Sequence, residues 1–292
     1  MQALETAFDA GITFFDTARS FGFGASEGLL GEFLSTAGRR EHVVLCTKFG
    51  IQPAAPNWKQ RLKPVARAAV RLVPSLRQAV QRRAGDQFHP GHFSAADLRI
   101  SFERSLRELH TDYVDMLLLH AAPMSVLAQT DLYEALQRLV DEGKVRLAGI
   151  SADTSVIDKA LNQRIPVLRT AQFAVNPSDL EFTTKTEANS DLLLVANHPF
   201  AGPAGVAEIR ARVAALAHNE KLPKALREKL ADPSDPQIFP ELVFGLILSG
   251  TGIAAVLPAM MQPEHIRANI AAVETCRFTS DELATLRSTL LG

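Results

Sequence analysis

Three polar residues each close a short apolar run. Asp16 ends Ile12-Thr13-Phe14-Phe15, and Lys48 ends Val43-Val44-Leu45-Cys46-Thr47. His120 ends Tyr113-Val114-Asp115-Met116-Leu117-Leu118-Leu119. At the carboxyl ends of successive buried parallel strands, an Asp, a Lys and a His would converge on one mouth. In a barrel of parallel strands, that is where catalysis sits. The chemistry this set suits is carbonyl reduction. The forming alkoxide needs an acid, a Lys paired to an Asp supplies a positive field, and a His orients the carbonyl oxygen. Singly, each residue has an ordinary explanation. An Asp after a strand is often a helix cap, a Lys there is usually solvated, and a lone His is more often structural. Only the shared position at strand ends tips the reading toward function.

The elements that must position these residues alternate along the chain. A helix is expected over 2–9, a strand over 12–16, a helix over 26–38 and a strand over 42–48. Ser94 and Asp97 open a helix to about Leu109. Strand 113–119, helix 130–142, strand 145–150, helix 154–163 and strand 166–172 follow. Strand 191–196, helices near 204–218, 222–231 and 239–249, strand 253–257 and helix 263–274 come next. Thr279 and Glu282 cap a last helix to about Leu290. Seven strands, each followed by helical sequence, argue for a parallel sheet covered by helices. The reading is α/β, a (β/α)8 TIM barrel whose first strand is missing, in a single domain over 1–292. An open doubly wound sheet ranks second. Gly22-Phe23-Gly24 has Glu27 where a dinucleotide fingerprint needs its third glycine.

The chain has 292 residues, 47% of them apolar, enough for a large core. Its net charge of −1 and pI near 6.7 favour neither nucleic acid nor a membrane surface. Cys46 and Cys276 make no disulfide framework, which fits a reducing, cytoplasmic setting. The first residues carry no basic region of the kind that opens a signal peptide. The apolar stretch from Leu242 to Leu257 is broken by Gly245, Gly250 and Gly252 and is too short to span a bilayer. No metal is expected. The histidines are scattered, and His89 and His92 lack a carboxylate or Cys cluster at ligand spacing.

Phe15-Asp16-Thr17-Ala18, then Gly22-Phe23-Gly24-Ala25-Ser26-Glu27 and Leu30-Gly31, resembles the first signature of the aldo-keto reductases. Thr47-Lys48-Phe49-Gly50 is similar to that family's lysine motif. Ser105-Leu106-Arg107-Glu108-Leu109, with Asp112-Tyr113-Val114-Asp115 and Leu119-His120, is similar to its histidine motif. Gly143-Lys144-Val145-Arg146 with Gly149-Ile150-Ser151, Gln172, and Leu257-Pro258 with Pro263-Glu264 and Asn269 continue the match in order over nearly the whole chain. The resemblance implies an NADPH-dependent reductase on a (β/α)8 barrel, taking a small-molecule carbonyl substrate. Asp16, Lys48 and His120 would be three members of a catalytic tetrad. Ser151 and Gln172 would bind the nicotinamide amide, Asn269 would meet the adenosine end, and Phe200 joins the cofactor-binding set.

The departures are specific. The family's catalytic tyrosine is replaced by Phe21, which has no proton to give. Tyr113 is expected at the far end of its strand and Tyr133 on an outer helix. Ala152 stands where the family has an asparagine after the serine. Ala259, Met260 and Met261 bring no charge to the 2′-phosphate position, leaving His265 and Arg267 as candidates, so NADH is an admissible cofactor beside NADPH. An insertion at about 51–93 carries Lys59, Arg61, Lys63, Arg67, Arg71, Arg77, Arg82 and Arg83 and no acidic residue between Ile51 and Gly85. A solvated basic face explains it best. A lid attracting an anion comes second, and nucleic acid is weakest because only Trp58 could stack on a base. The leading expectation is a carbonyl reductase with impaired acid chemistry. A catalytically inactive nucleotide- or partner-binding barrel and a truncated non-functional fragment are the alternatives.

Overall fold

The computed structural model describes residues 1–36, 38–52, 91–186, 192–232 and 235–292. The greater part of the basic insertion expected at 51–93, Trp58 and His89 included, lies outside them. In chain order the elements are α1 (Gln2–Asp9), β1 (Phe14–Asp16), α2 (Ser26–Leu34), β2 (Val44–Phe49), α3 (Ala95–Glu108), β3 (Val114–His120), α4 (Thr130–Asp141) and β4 (Val145–Ser151). Then come α5 (Thr154–Gln163), β5 (Leu168–Ala174), α6 (Thr183–Thr186), β6 (Leu193–Asn197), α7 (Gly202–Ala217), α8 (Lys224–Leu230), α9 (Ile238–Leu248), β7 (Ile253–Leu257), α10 (Pro263–Glu274) and α11 (Ser280–Leu291). The strands follow chain order from β1 to β7, so β1 and β7 end the sheet. No strand precedes α1 among the described residues.

The expected elements are present with shifted ends. The first strand begins at Phe14 rather than residue 12, after the turn at Gly11. The second helix stops at Leu34 rather than 38, where the Ser35 hydroxyl donates to the Gly31 carbonyl at 2.8 Å. The single turn α6 was not expected from the sequence. Thr279 and Glu282 form the reciprocal cap of α11, and Ser94 caps α3 by accepting from the Asp97 N–H.

The residues fall into two compact units, Phe15–Arg146 and Met1–Phe14 with Leu147–Gly292. In the first, β2 and β3 pair in parallel, Lys48 opposite Leu118. Val114 to Leu119 of β3 are all buried, as a strand covered on both faces requires. Helix α4 buries Leu132, Ala135, Leu136 and Leu139, one helical stripe. Gly31 lets α2 approach α3 closely, since a Cβ there would collide with the Glu108 carbonyl. Beneath β3, Asp115 accepts from the Leu45 N–H at 2.9 Å and pairs with Arg40 at 2.9 Å and Arg146 at 2.6 Å. The Tyr113 ring packs under both guanidiniums, 3.9 Å from Arg40 and 4.5 Å from Arg146.

In the second unit, β4, β5, β6 and β7 run parallel, with Ser151 opposite Gln172 and Ala174 opposite Asn197. Its core includes Ile150, Ile157, Leu194, Val195, Leu242 and Leu246. Arg277 ties α9 to the start of α11, pairing with Glu241 and Asp235 at 2.7 Å each.

Candidate active site

Asp16 and His120 are the last residues of β1 and β3, and Lys48 is the penultimate residue of β2. Lys48 is 3% exposed and its ammonium is held by two oxygens. Its Nζ donates to Asp16 Oδ2 at 2.5 Å and to the Thr17 carbonyl at 3.0 Å. A buried ammonium persists only with such partners, and here a charge and a carbonyl supply them. The face of Phe21 covers the same group, with Nζ 4.9 Å from the ring centroid. Phe21 also meets the His120 ring edge-on at 5.6 Å. Asp16, Phe21, Lys48 and His120 therefore form one cluster within Phe15–Arg146.

The His120 imidazole is pushed down to about 4, first by burial and then by the Lys48 charge, against a smaller pull from Asp16. It is neutral at pH 7, an N–H donor rather than a cationic acid. Among the described residues, its buried Nδ1 has no hydrogen-bond partner. The Cys46 thiol is fully buried and raised by burial, which makes it inert.

A second polar layer was missed from the sequence. Glu27, in the first turn of α2, is 3% exposed and accepts from the Thr47 hydroxyl at 2.6 Å. Burial raises its carboxyl, against the hydrogen bonds of Thr47 and Ser105. The Thr17 hydroxyl donates to Ser26 Oγ at 3.0 Å, and Arg19 donates to the Ser101 hydroxyl at 3.1 Å. These contacts close both ends of the loop that carries Phe21. The sequence signal was a lone Glu on the face of α2 that also buries Leu30 and Leu34.

The other tyrosines do not reach the cluster's chemistry. The Tyr133 hydroxyl donates to the Val126 carbonyl at 3.0 Å, and burial pushes it up to about 12. Tyr113 lies one residue before β3, at the end opposite His120.

In the other unit, Ser151 ends β4 and Gln172 lies on β5 beside it. The Ser151 hydroxyl donates to Gln172 Oε1 at 2.9 Å, and Asn197 Nδ2 donates to the same oxygen at 3.2 Å. Asn197, which ends β6, was not singled out from the sequence. Its signal was available, since it closes Leu192-Leu193-Leu194-Val195-Ala196 as Asp16, Lys48 and His120 close their runs. Phe200 stacks on Phe239 at 5.6 Å and meets Phe244 edge-on at 5.5 Å, so much of its ring is spent on protein contacts. His265, Arg267 and Asn269 lie on α10, the first two exposed and the third half-buried. Among the described residues, no His, Cys, Asp and Glu group is arranged to hold a metal ion.

A profile of the aldo/keto reductase family matches residues 1–290. The chain belongs to that family. It is 29% identical over 151 residues to the aldo-keto reductase YhdN of Bacillus subtilis, covering 52% of this chain and 36% of that protein. It is 34% identical over 164 residues to the D-threo-aldose 1-dehydrogenase of a Pseudomonas species, covering 56% and 45%. The chain thus spans less than half the length of these two relatives. Aldo-keto reductase AKR11C1 of Bacillus halodurans, in its holo form, superposes with a TM-score of 0.68 at 21% identity, over 99% of this chain and 86% of that one. That likeness shows the fold, the (β/α)8 barrel of the aldo-keto reductases. Among the described residues, this family member has seven strands.

Proposed function

We propose that this aldo-keto reductase is an NADPH-dependent oxidoreductase that reduces a small aldehyde or ketone to the alcohol, with weakened acid catalysis. The carrying observation is the buried Lys48–Asp16 pair beside a neutral His120. Ser151 and Gln172 suit the nicotinamide carboxamide, because they bring a hydroxyl and an amide together on adjacent strand ends. Asn269, His265 and Arg267 would take the adenosine end from α10, with Phe200 completing the set. A reduced nicotinamide held there would supply the hydride for the carbonyl carbon. The chain's residues handle the oxygen. His120 offers it an N–H, and the Lys48 ammonium, held between Asp16 and the Thr17 carbonyl, offers a fixed positive field. Phe21 offers no proton, and Tyr113 and Tyr133 are engaged elsewhere.

This reading treats residues 1–292 as one cytoplasmic domain. Among the described residues, no helix is long and apolar enough to cross a membrane. Phe21 also favours a second reading, a nucleotide- or partner-binding barrel without turnover. Titration with NADPH and NADH, alongside aldehyde reduction assays, separates the two. Cofactor binding with turnover supports the reductase. Binding without turnover on a broad aldehyde panel supports the second reading, and absence of binding overturns both nucleotide readings.

A further inference from the structure

We infer that Ser26 and Glu27, the first residues of α2, are positioning residues that hold the Lys48 ammonium in place through Thr17 and Thr47. The inference rests on the reading of Lys48 as the cation that faces the carbonyl oxygen, and adds what keeps it there. Neighbouring residues of a strand point to opposite faces. Lys48 Nζ lies beside Asp16 and the Phe21 ring. Thr47, on the other face of β2, is buried, and its hydroxyl donates to Glu27 Oε1 at 2.6 Å. Thr47 is β-branched and stiff at χ1, so fixing its hydroxyl fixes the backbone from which Lys48 projects.

The acceptor of the lysine is held from the same helix turn. Thr17 is buried, and its N–H donates to the Cys46 carbonyl at 2.9 Å. Its hydroxyl donates to Ser26 Oγ at 3.0 Å, and its carbonyl accepts from Lys48 Nζ at 3.0 Å. Ser26 and Glu27 are consecutive, so one turn of α2 sets both the strand that carries the ammonium and the carbonyl that receives it. That turn is itself anchored. Gly31, on the same face one turn later, brings α2 against the Glu108 carbonyl of α3, and Glu27 reaches Ser105 of α3. Thr47 turns away from Lys48, so Glu27 acts on the reaction only through the lysine's placement. A positive charge held loosely loses much of its worth to a forming alkoxide.

The ammonium itself supplies the readout. In protein labelled with 15N-lysine, the protons of a buried, hydrogen-bonded ammonium exchange slowly enough to be followed by NMR. The Lys48 signal is the one missing from Lys48→Met. Thr47→Val removes the donor, Glu27→Met removes the acceptor, and Ser26→Ala releases the Thr17 hydroxyl. Each should speed Lys48 proton exchange by about fivefold or more, the worth of one hydrogen bond. Each should also lower kcat for small aldehydes by about tenfold, with KM for NADPH unchanged. Thr47→Ser and Glu27→Gln keep a hydroxyl donor and a carbonyl acceptor, and should restore both values. Leu136→Ala, a truncation of the buried face of α4, is the control. It should lower the urea midpoint and leave Lys48 exchange as in the natural protein.

Lower urea midpoints in Thr47→Val and Glu27→Met with Lys48 exchange unchanged would mean that these residues only support the fold, and overturns the inference. So would equal acceleration in Leu136→Ala, or a natural protein whose Lys48 ammonium gives no signal. Glu27→Gln behaving like Glu27→Met would assign the effect to charge, and also overturns it. The underlying reductase reading fails differently. In that case no protein of the series turns over aldehyde, while Lys48 exchange still follows the expected order, and the placement of the ammonium by Ser26 and Glu27 stands.

Discussion

Lys48 Nζ lies 4.9 Å from the centroid of the Phe21 ring, so a buried cation faces an aromatic surface where acid catalysis would need a hydroxyl. The ammonium is already held by Asp16 and the Thr17 carbonyl. The ring adds cover and cation–π attraction, and no exchangeable proton.

The first consequence concerns turnover. Phe21→Tyr would put a phenol beside Lys48, which stabilises its ionised form and so tunes it as an acid. A general acid typically contributes about 10²–10⁴-fold. Steady-state reduction of small aldehydes by the two proteins measures the gain. A natural Phe21 protein that already turns over as fast as its Tyr variant would mean that the proton comes from elsewhere.

Stability should depend on the same ion pair. Lys48→Met leaves Asp16 partly buried without its cation, and breaking a buried pair in this way costs about 3–5 kcal/mol. Urea unfolding followed by circular dichroism reads the loss. A midpoint unchanged from the natural protein would show that Asp16 is well served by its remaining partners.

His120 sets a pH dependence. Its folded value, about 4, lies below the unfolded value of 6.5, so between them the unfolded chain binds the extra proton. The contribution to stability is fully present above pH 6.5 and is lost as pH falls toward 4. The loss is on the order of 2 kcal/mol, allowing for partial exposure of the ring. Urea midpoints at pH 7 and pH 4.5 should diverge more for the natural protein than for His120→Gln. Parallel behaviour of the two would remove His120 as the cause.

Cofactor preference should be weak. Ala259, Met260 and Met261 offer no charge to a 2′-phosphate, and His265 and Arg267 are exposed on α10. Charge-assisted bonds are the strong phosphate contacts, and exposed ones are diluted by solvent. Titrations that follow cofactor fluorescence should give similar affinities for NADPH and NADH. A strong NADPH preference that survives replacement of both His265 and Arg267 would place the phosphate site elsewhere.

The sequence by itself determined the alternation of strands and helices, because burial periodicity and capping residues are local signals. The runs ending in Asp16, Lys48 and His120 were legible for that reason, as was the Thr279–Glu282 cap. The loss of a hydroxyl at Phe21 was legible as well, since it is a matter of residue identity. Strand ends shifted by one or two residues because pairing with a neighbour, not propensity, decides where a ladder stops. β5 therefore runs past Gln172 to Ala174.

Only the tertiary structure decided which polar groups meet. Glu27 reaches Thr47 across 20 residues of sequence, and Asn197 reaches Gln172 across 25. Nothing in either local segment specifies such a partner. The protonation of His120 was likewise decided by packing, since burial and the Lys48 charge act through space. Residue types set what chemistry was available. The fold set which atoms share a lone pair, a charge or a proton, because those interactions depend on distances that the chain order does not contain.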